Sequence, residues 1–503
     1  MKILVTGGSG LIGRSVIRFL TEDDHVVRMF SRNAERDAKE WPRNVEPHPG
    51  SITDPEARGR AVEECDAVLH IVGIAREEPP EITFEAVNVG GTRNVVAACD
   101  RAHCGRIVYV SSLGAARGSS DYHRSKAEAE NVVRGYFGSW LICRPGNVYG
   151  PGDEVISRYL KMVRTLPAVP VLGDGNQPFQ PIWVDDLGRA LAAAVTSNEP
   201  SQTAVDLAGP EPTTTNELLD ILEDITGKSP ARIAIPEWVA RHGSRAAETL
   251  GLDLPFSEDQ VTMLLEQNFV MPEESNALID VFGIEPIPLE EGLVRLAETL
   301  PEQPPRSGEG TLHRSRYWAD IRETPMTADE LFEMVRQEFY DLPPEGLLKV
   351  GVEPGGARVP EEGSTLTMAI PLRGTIQVRV AEIADNTITC ATIDGHFLSG
   401  VIRFMVEERS EEEAIRFEIR SYARPTDTAD RIAMGTVGRA AQKLTWKSVV
   451  EEVVKRSGGT AEEGAQDERT ALRGDDARRV EEWADGMIQR MRRRHHREQE
   501  EES

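Results

Sequence analysis

A glycine-rich turn near the start of the chain constrains the fold more than any other feature. Gly7, Gly10 and Gly13 follow the strand-like residues 2–6 and open a helical pattern over residues 11–20. In such a unit the first glycine permits a tight turn, the second lets a pyrophosphate approach the backbone, and the third lets helix and strand pack closely. The free N–H groups at the start of the helix would face the phosphates. We therefore predict a dinucleotide-binding site, with a plain structural turn as the alternative.

The same alternation of strand and helix continues through residue 195. β-Branched runs are separated by amphipathic stretches, which implies parallel βαβ units with helices on both faces of the sheet. We predict an α/β fold, a Rossmann-type doubly wound parallel sheet, in an NAD(P)-binding domain over residues 1–300. Helix-like segments at 215–226 and 257–266 predict a small cap within residues 196–300. The predicted strands are residues 2–6, 26–30, 67–72, 106–111 and 140–144.

Composition and periodicity change beyond residue 300. Residues 301–310 are rich in Pro, Gly and charge and are predicted to be a linker. Residues 311–456 are predicted to be an α+β domain with an antiparallel sheet and helices at 328–339 and 427–455. Residues 457–503 are predicted to be a charged, disordered tail, with an exposed helix or a nucleic-acid or lipid contact as alternatives. The period of two, typical of a half-buried antiparallel sheet, occurs at Ile376, Val378, Val380, Ile402, Phe404, Val406, Ile415, Phe417 and Ile419.

The acidic composition argues against whole-chain binding to anionic partners. The formal net charge is −27 over 503 residues, and such a surface repels nucleic-acid backbones and anionic lipid. No apolar stretch approaches the roughly 20 residues that span a bilayer, and the N-terminus lacks the apolar core of a signal peptide. The five cysteines show no metal or redox spacing and predict reduced core residues of a cytoplasmic protein. We expect a small-molecule partner; peripheral membrane association and oligomeric state stay open.

The end of the second predicted strand distinguishes the two nicotinamide nucleotides. An acidic residue there would bind the adenosine ribose and repel a 2′-phosphate. This chain has Ser31, Arg32 and Asn33 instead. Arg32 can pair with a 2′-phosphate, and Ser31 and Asn33 can donate hydrogen bonds to it. We predict a preference for NADP(H), with NAD(H) as the alternative.

Further motifs, in the expected order, resemble the short-chain dehydrogenase/reductase superfamily in its extended and atypical branches. After the glycine turn come the strand end V-S-S at 110–112, a Y-x-x-x-K at 122–126, R-P-G-N-V-Y-G-P-G at 144–152 and P-I-W-V-D-D-L at 181–187. Within the superfamily the chain most resembles the NAD-dependent epimerase/dehydratase-like proteins related to the complex I 39-kDa accessory subunit. The resemblance covers residues 1–300.

The resemblance implies roles for individual residues. Tyr122 would be the general acid/base, and Lys126 would favour its phenolate and hold the nicotinamide ribose. Ser112 would hydrogen-bond the substrate oxygen, and Asn88 would organise the site. No metal is predicted. The predicted cofactor-binding residues are Gly7, Ser9, Gly10, Leu11, Ile12, Gly13, Ser31, Arg32, Asn33, Val72, Gly73, Asn88, Lys126, Pro145, Asn147 and Val148.

Three functions are compatible with these motifs. The leading hypothesis is an NADP(H)-dependent oxidoreductase that acts on a carbonyl or hydroxyl by hydride transfer. The alternatives are a non-catalytic NAD(P)H-binding structural or sensor protein and a nucleotide-sugar epimerase or dehydratase. Residues 113–121 form a shorter loop between Ser112 and Tyr122 than sugar-modifying members carry, which disfavours the last alternative. Ser51 stands where the family usually has Asp.

Two groups of residues between 177 and 186 have competing interpretations. Asp185 and Asp186 precede an apolar helical run, which predicts helix caps rather than catalytic groups. A second group either lines a substrate cleft or packs in the core; it comprises Gln177, Phe179, Gln180 and Trp183.

The second domain resembles an uncharacterised family with a G-H-x-x-x-G turn, here 395–400, and an S-x-x-R-P segment, here 421–425. That family is similar to START-like helix-grip domains, which hold apolar ligands between sheet and helix. The resemblance implies that this domain presents an apolar ligand near the first. The glycines are otherwise hairpin turns, and His396 is interpreted as structural.

Overall fold

The computed structural model shows a chain of two compact units. The first unit comprises Met1–Tyr159, Pro170–Ile221 and Arg232–Leu296; the second comprises Leu160–Val169, Leu222–Ala231 and Ala297–Ser503. The structure describes residues 1–38, 41–166, 168–240, 262–263, 266, 268–271, 274–298, 302–343, 349–352, 359–370, 374–393, 396, 398–410, 413–426 and 439–502.

A parallel sheet forms the centre of the first unit. The strands before residue 236 are β1 (Lys2–Thr6), β2 (Val26–Ser31), β3 (Val45–Pro49), β4 (Ala67–His70), β5 (Arg106–Val110), β6 (Ser139–Pro145), β7 (Asn147–Tyr149), β8 (Ala168–Leu172), β9 (Pro178–Phe179), β10 (Pro181–Trp183), β11 (Thr203–Leu207), β12 (Thr213–Thr214) and β13 (Ala231–Ile235). Within the described residues, seven of them pair in the order β11-β6-β5-β4-β1-β2-β3. The order reverses between β1 and β4, so a crevice opens at their carboxyl ends. The doubly wound fold predicted from the sequence is confirmed.

Helices cover both faces of this sheet. Ile3 and Val5 face one apolar cluster and Leu4 faces the other, as the pleat of a strand requires. The helices before residue 299 are α1 (Leu11–Glu22), α2 (Ala34–Asp37), α3 (Pro55–Val62), α4 (Gly91–Ala102), α5 (Asp121–Arg134), α6 (Ile156–Thr165), α7 (Val184–Thr196), α8 (Thr215–Thr226), α9 (Ala277–Asp280) and α10 (Leu289–Glu298), with a π-helix at Glu85–Gly90 and a 3-10 helix at Leu113–Ala116.

Two strands of the parallel sheet were not predicted. β3 contains Pro47 and Pro49 and lies at the sheet edge, where proline is tolerated because one side of the strand needs no ladder bonds. β11 falls in the predicted cap but pairs with β6 and extends the sheet. The predicted helix at 215–226 is observed as α8. Most of the predicted helix at 257–266 lies outside the described residues.

An antiparallel sheet forms the centre of the second unit. Its strands are β14 (His313–Ile321), β15 (Lys349–Val352), β16 (Thr365–Ile370), β17 (Gly374–Ala384), β18 (Thr387–Thr392), β19 (Leu398–Arg409), β20 (Ala414–Pro425) and β21 (Gln466–Ala471). In the described part of the chain, they pair in the order β15-β16-β17-β18-β19-β20-β14-β21. The helices after residue 326 are α11 (Ala328–Gln337), α12 (Arg439–Arg456) and α13 (Gly474–Glu502), with 3-10 helices at Pro305–Ser307 and Phe339–Asp341.

Both faces of the antiparallel sheet are covered by apolar side chains. One face packs against α11 and α12, and the predicted alternation is confirmed because Val378, Phe404 and Phe417 all join this core. Trp446 of α12 meets Phe404 with ring centroids 5.9 Å apart. The ligand predicted for this domain stays a prediction. The opposite face packs against α13.

The predicted linker is wrong for the residues that the structure describes. Glu302 is buried, forms a bridge with Ile393 and pairs with Arg379 and Arg492. A Pro- and Gly-rich composition suggested a solvated segment, but ion pairing to the sheet and the following helix holds this segment in place. Gly395 and residues 427–438 of the predicted helix lie outside the described residues.

The predicted disordered tail is also wrong. β21 pairs with β14, and α13 buries Ala484, Met487, Ile488 and Met491 against the sheet. These four residues recur at helical spacing within a highly charged sequence, and one apolar stripe is enough to anchor a helix. The five cysteines are buried and free, as predicted.

Candidate active site

The glycine turn has the geometry that its sequence predicts. Gly7 adopts φ +74°, a conformation that favours glycine. A Cβ on Gly13 would lie 2.3 Å from the Gly7 carbonyl oxygen, so only glycine lets helix and turn pack this closely. Gly10 is the N-cap of α1 and contributes no side-chain cap. The first N–H groups of α1 therefore keep the capacity to bind an anion.

The end of β2 lies beside this turn, since the Gly7 N–H donates to the Phe30 carbonyl at 3.2 Å. The hydroxyl oxygen of Ser31 is buried and makes no hydrogen bond to the described residues. A buried polar atom of this kind usually has a partner, so Ser31 fits a bound ligand there. Arg32 and Asn33 are exposed at the same strand end. These features of the turn and strand end fit a nicotinamide dinucleotide.

A chain of buried, hydrogen-bonded side chains begins at Thr6, the residue before the glycine turn. Thr6 Oγ1 lies 2.8 Å from His70 Nδ1, and His70 Nε2 lies 3.0 Å from Thr92 Oγ1. Thr92 in turn donates to the Asn88 carbonyl at 2.6 Å. Burial, and secondly the charge of Lys126, lower the pKa of His70 to about 3. His70 is therefore neutral and acts as a fixed hydrogen-bond link.

Asn88 lies in the π-helix and connects three segments. Its amide nitrogen donates to the Ile74 carbonyl at 3.1 Å and to Ser125 Oγ at 2.9 Å, and its oxygen accepts from the Ile74 N–H at 2.8 Å. A Cβ on Gly73 would lie 3.4 Å from the Asn88 oxygen and 3.3 Å from Lys126 Nζ. Gly73, Asn88 and Lys126 are therefore neighbours, and their predicted contact with a cofactor stays a prediction.

Lys126 is almost fully buried. Its ammonium group donates to the Val110 carbonyl at 2.7 Å and lies 4.6 Å from the centroid of the Tyr109 ring. Burial lowers the pKa of Lys126 to about 7, although the nearby Glu130 charge acts in the opposite direction. The site thus holds an amine that can exchange its proton near neutral pH.

Tyr122 lies in the first turn of α5, one helical turn before Lys126. Residues four apart share a helix face, so the two side chains belong to the same edge of the sheet. The Tyr122 ring is half-buried and packs against Phe84 with ring centroids 6.1 Å apart. The Tyr122 ring is therefore held in place by packing.

Ser112 lies two residues after the end of β5 and is joined to two residues that the sequence did not single out. Its Oγ lies 3.4 Å from His123 Nε2, and His123 Nδ1 is hydrogen-bonded to a carboxylate oxygen of Glu266. Both Ser112 and His123 are buried. His123 directly follows the predicted Tyr122, but nothing in the sequence pairs it with a glutamate so far along the chain.

The Glu266 carboxylate receives several further hydrogen bonds. Ser119 Oγ donates at 2.8 Å, and Ser120 donates through its N–H at 2.7 Å and its hydroxyl at 2.9 Å. Burial raises the pKa of Glu266, but the hydrogen bonds from His123, Ser119 and Ser120 outweigh it and lower the pKa to about 2. Glu266 is therefore an anion held over the loop that joins Ser112 to Tyr122.

A cavity adjoins this glutamate. Of the four residues with two open interpretations, Gln177 and Phe179 line the cavity, whereas Gln180 and Trp183 have other partners. Gln180 donates to the Gly209 carbonyl at 2.7 Å, and Trp183 packs against Tyr149. The lining residues are Asn147, Val155, Ile156, Tyr159, Leu172, Gly175, Gln177, Phe179, Thr215, Leu218, Met263, Glu266 and Asn268.

The remaining predicted site residues follow the same sheet edge. Val72 packs against Gly7, since a Cβ added to Gly7 would lie 3.3 Å from the Val72 side chain. Asn147 lines the cavity and accepts from Asn268 at 2.6 Å. Pro145 ends β6, Val148 lies in β7, and Ser9, Leu11 and Ile12 belong to the turn and first residues of α1.

Asp185 and Asp186 do not cap α7, contrary to the interpretation from sequence. Trp183 is the N-cap and no side chain caps this helix end. Asp185 instead accepts from Ser15 Oγ at 2.7 Å and pairs with Arg18, while Asp186 accepts from the Ile287 N–H at 2.9 Å. They fasten α7 to other segments because tertiary partners compete with the local cap.

This combination of doubly wound sheet, glycine turn and tyrosine–lysine pair is similar to that of the extended short-chain dehydrogenase/reductases. Residues 3–208 match the model of the NAD dependent epimerase/dehydratase family. Residues 327–452 match the Domain of unknown function (DUF1990). The recognition of both regions from sequence motifs is confirmed.

Curated relatives include reductases and a respiratory-complex subunit. The chain is 31% identical to the ceramide reductase of Caulobacter vibrioides, over 38% of this chain and 60% of that protein. It is 26% identical to NADH dehydrogenase [ubiquinone] 1 alpha subcomplex subunit 9 of Arabidopsis thaliana, over 50% of this chain and 64% of that protein. It is 29% identical to the 2-alkyl-3-oxoalkanoate reductase of Stenotrophomonas maltophilia, over 59% of this chain and 98% of that protein. The matches thus span about three fifths of the first two relatives.

Solved structures to which the chain is similar include the UDP-glucose 4-epimerase of Thermotoga maritima. That match has 22% identity and a TM-score of 0.47 and covers 59% of this chain and 98% of that one. Within the described residues, no helix is long and apolar enough to cross a membrane. Nor do those residues include a group of His, Cys, Asp and Glu that could hold a metal ion.

Proposed function

We propose that the first unit is an NADP(H)-dependent oxidoreductase that interconverts a carbonyl and a hydroxyl group. The observation that carries this proposal is that Lys126 and Asn88 meet at Gly73, next to Val72 that contacts Gly7, with Tyr122 one helical turn before Lys126. Gly7, Gly10 and Gly13 with the start of α1 would hold the pyrophosphate, and Ser31, Arg32 and Asn33 the adenosine end. A bound nicotinamide nucleotide would supply or accept the hydride.

The residues of this chain would manage the proton. In the reducing direction, Tyr122 donates its hydroxyl proton to the substrate oxygen and becomes a phenolate, which later regains a proton from water. The ammonium of Lys126 stabilises that anion, which lowers the free energy of proton transfer at neutral pH. Ser112 hydrogen-bonds the same oxygen and orients it. Asn88 holds the backbone of Ile74 and the Ser125 hydroxyl in place around the lysine.

The cavity supports an apolar carbonyl or alcohol as the substrate class. Most of its walls are apolar, and among the described lining residues the one charged group is the Glu266 carboxylate. A nucleotide sugar carries a diphosphate, which requires cationic partners, so this lining disfavours the epimerase or dehydratase alternative. The name of one similar protein, 2-alkyl-3-oxoalkanoate reductase, also specifies a substrate with an alkyl chain.

Replacement of Tyr122 tests turnover against simple nucleotide binding. Oxidation of NADPH is measured with 2-nonanone and benzaldehyde as probes, and nucleotide affinity by calorimetry. Tyr122→Phe should reduce turnover roughly 10²–10⁴-fold with unchanged NADPH affinity. Tyr136→Phe is the matched control, because its hydroxyl donates to the Cys104 carbonyl, outside this site. Turnover that survives in Tyr122→Phe would refute the acid/base role. NADPH binding without turnover would favour the structural or sensor alternative, which the plant complex-subunit relative supports.

The cofactor preference has a separate test. Arg32→Ala should weaken NADPH binding about tenfold or more, the size of one lost charge-assisted contact, and leave NADH affinity unchanged. Arg36→Ala is the control, since Arg36 is an exposed arginine that pairs with Asp37. Tighter binding of NADH than of NADPH by the unaltered protein would reverse the proposed preference.

A further inference from the structure

A buried chain of side chains leads from the candidate site to Glu266, and the mechanism above uses only its first member. Ser112 Oγ approaches His123 Nε2, and His123 Nδ1 approaches Glu266. In a serine, imidazole and carboxylate in this order, the hydrogen bond at one ring nitrogen determines whether the other ring nitrogen donates or accepts.

The imidazole ring is clamped by the backbone of the loop beside it. A Cβ on Gly114 would lie 2.2 Å from His123 Nε2, and a Cβ on Gly118 would lie 2.5 Å from His123 Nδ1. Both glycines are therefore required for the ring to fit in its place. A ring held this tightly cannot turn away from Ser112, so each nitrogen keeps its own partner.

The charges around His123 leave Glu266 as its ionic partner. Tyr122 faces the imidazole as a neutral ring, with centroids 5.1 Å apart. Cations on neighbouring positions are engaged elsewhere, as the following pairs show: Arg117 with Glu274, Arg124 with Asp121, and Lys126 with the Val110 carbonyl.

Glu266 dictates which ring nitrogen carries a hydrogen. An ionised carboxylate can only accept hydrogen bonds, and this one already accepts from Ser119 and Ser120. His123 Nδ1 must therefore carry a hydrogen directed at Glu266. In a neutral ring, Nε2 is then an acceptor and takes the hydroxyl hydrogen of Ser112. In a protonated ring, Nε2 donates to Ser112 and releases that hydrogen toward the site.

We propose that His123 and Glu266 are positioning residues that set the direction of the Ser112 hydroxyl. With His123 protonated, the Ser112 hydroxyl donates to the oxygen of the carbonyl, or of the alcohol in the reverse direction, and the single hydroxyl hydrogen of the alcohol is left for Tyr122. With His123 neutral, the Ser112 hydrogen points to His123 instead, and the substrate oxygen loses this donor. The catalytic consequence rests on the proposed oxidoreductase function, whereas the ring geometry does not.

The ring geometry is tested without nucleotide or substrate. Nitrogen-15 NMR of the full-length protein reports which imidazole nitrogens carry hydrogen, and His123→Gln assigns the signal among the ten histidines. We expect a downfield Nδ1 proton for His123 that is lost in Glu266→Gln. Glu274→Gln is the matched control in the same segment and should retain it. A His123 ring with a bare Nδ1 would overturn the proposal whether or not the protein is an enzyme.

The action through Ser112 is tested by a double-mutant cycle. Glu266→Gln introduces an amide nitrogen that cannot accept, so at least one converging donor loses its partner. We expect kcat for 2-nonanone reduction to fall about tenfold with unchanged NADPH affinity, and no further fall when Glu266→Gln is added to Ser112→Ala. A merely structural role would give independent, multiplicative losses in the two backgrounds and would overturn the proposal.

The two hypotheses fail in different ways. Activity that survives in Tyr122→Phe would refute the proposed function. A wild-type enzyme that depends on Tyr122 but whose kcat is the same in Glu266→Gln and Glu274→Gln would refute the positioning role alone. Loss of activity confined to Glu266→Gln, with an intact NMR signature in Glu274→Gln, is the result that supports it.

Discussion

Buried charged groups occur in both units, and those beside the candidate site differ from the charge pairs of the second unit. In the second unit the Glu418 carboxylate is bound by Arg316 and Arg420, so opposite charges satisfy one another within the sheet. In the first unit, Lys126 donates to the Val110 carbonyl. His123 lies between the neutral Ser112 hydroxyl and one carboxylate, that of Glu266. Paired charges hold a structure, whereas groups left able to exchange a proton can act on a ligand.

The two sheet types explain this difference. Parallel strands place all their carboxyl ends at one edge, so Thr6, Val110 and Pro145 bring their neighbouring residues together there. In the antiparallel sheet, strand ends alternate and both faces are covered by helices. Polar side chains of the second unit therefore meet across strands, as cross-strand pairs.

Removal of the Glu418 carboxylate should have the largest effect on stability. Glu418→Ala leaves Arg316 and Arg420 without their buried partner, which should lower the free energy of unfolding of the second unit by about 3–5 kcal/mol. Glu468→Ala is the control, because Glu468 also pairs with Arg316 but is 41% exposed, and should cost about 1 kcal/mol or less. Urea unfolding measures both. Equal losses, or a loss of NADPH affinity, would contradict the contrast between the units.

The two units should respond to pH at opposite ends of the scale. Burial raises the pKa of Glu418, but the bonds from Arg316 and Arg420 lower it from 4.5 to about 2. Its contribution is therefore complete above pH 4.5 and lost as the pH falls to about 2. Burial lowers the pKa of Lys126 from 10.5 to about 7, so charging it opposes folding, and the first unit should gain stability as the pH rises from 7 to 10.5.

Hydrogen-exchange mass spectrometry resolves the units in this pH experiment. Lys126→Met should remove the alkaline gain from the first unit and leave the acid loss of the second unchanged. Glu418→Gln should do the reverse. An alkaline gain that persists in Lys126→Met would assign it to another group.

Glycine substitutions distinguish a ligand-binding glycine from a packing glycine. A Cβ on Gly10 would meet the nearest atom, the Gly7 oxygen, at 3.4 Å, whereas a Cβ on Gly400 would lie 2.2 Å from the Tyr422 oxygen. Gly10→Ala should fold normally and weaken NADPH binding about tenfold, or about 1.4 kcal/mol, because the methyl group occupies the path of the pyrophosphate. Gly400→Ala should destabilise the second unit and leave NADPH affinity unchanged.

Gly59→Ala serves as the neutral control for this pair, since no atom lies within 4 Å of the added Cβ. Calorimetric titration with NADPH and thermal unfolding are measured for all three variants. Unaltered NADPH affinity in Gly10→Ala would remove the glycine turn from the binding site.

Helix N-caps should give the smallest effect. Ser120 caps α5 and Thr327 caps α11, each through its side-chain oxygen. Loss of either cap should cost about 1 kcal/mol. Thr327→Ala should change thermal stability alone, whereas Ser120→Ala should also lower kcat because Ser120 holds Glu266. Identical kinetics for both variants would show that the Ser120 contact has no role in turnover.

Local patterns were sufficient for much of the fold and for part of the site. The glycine turn, the strands β1, β2, β4, β5 and β6, and the antiparallel character of the second unit follow from short-range periodicity. Periodicity also missed elements. β3 carries two prolines, β11 falls within the predicted cap, and the apolar stripe of α13 is diluted by charged residues that mask it.

The sequence by itself determined the class of the first domain and its candidate nucleotide site, because turn geometry and the tyrosine–lysine spacing are set within a few residues of chain. Only the tertiary structure decided that His123 lies between Ser112 and Glu266, that Asp185 and Asp186 bind other segments, and that residues 302–310 pack on a sheet. The physical reason is distance along the chain. Hydrogen bonds between residues far apart in sequence depend on how whole elements pack, and no local pattern encodes that.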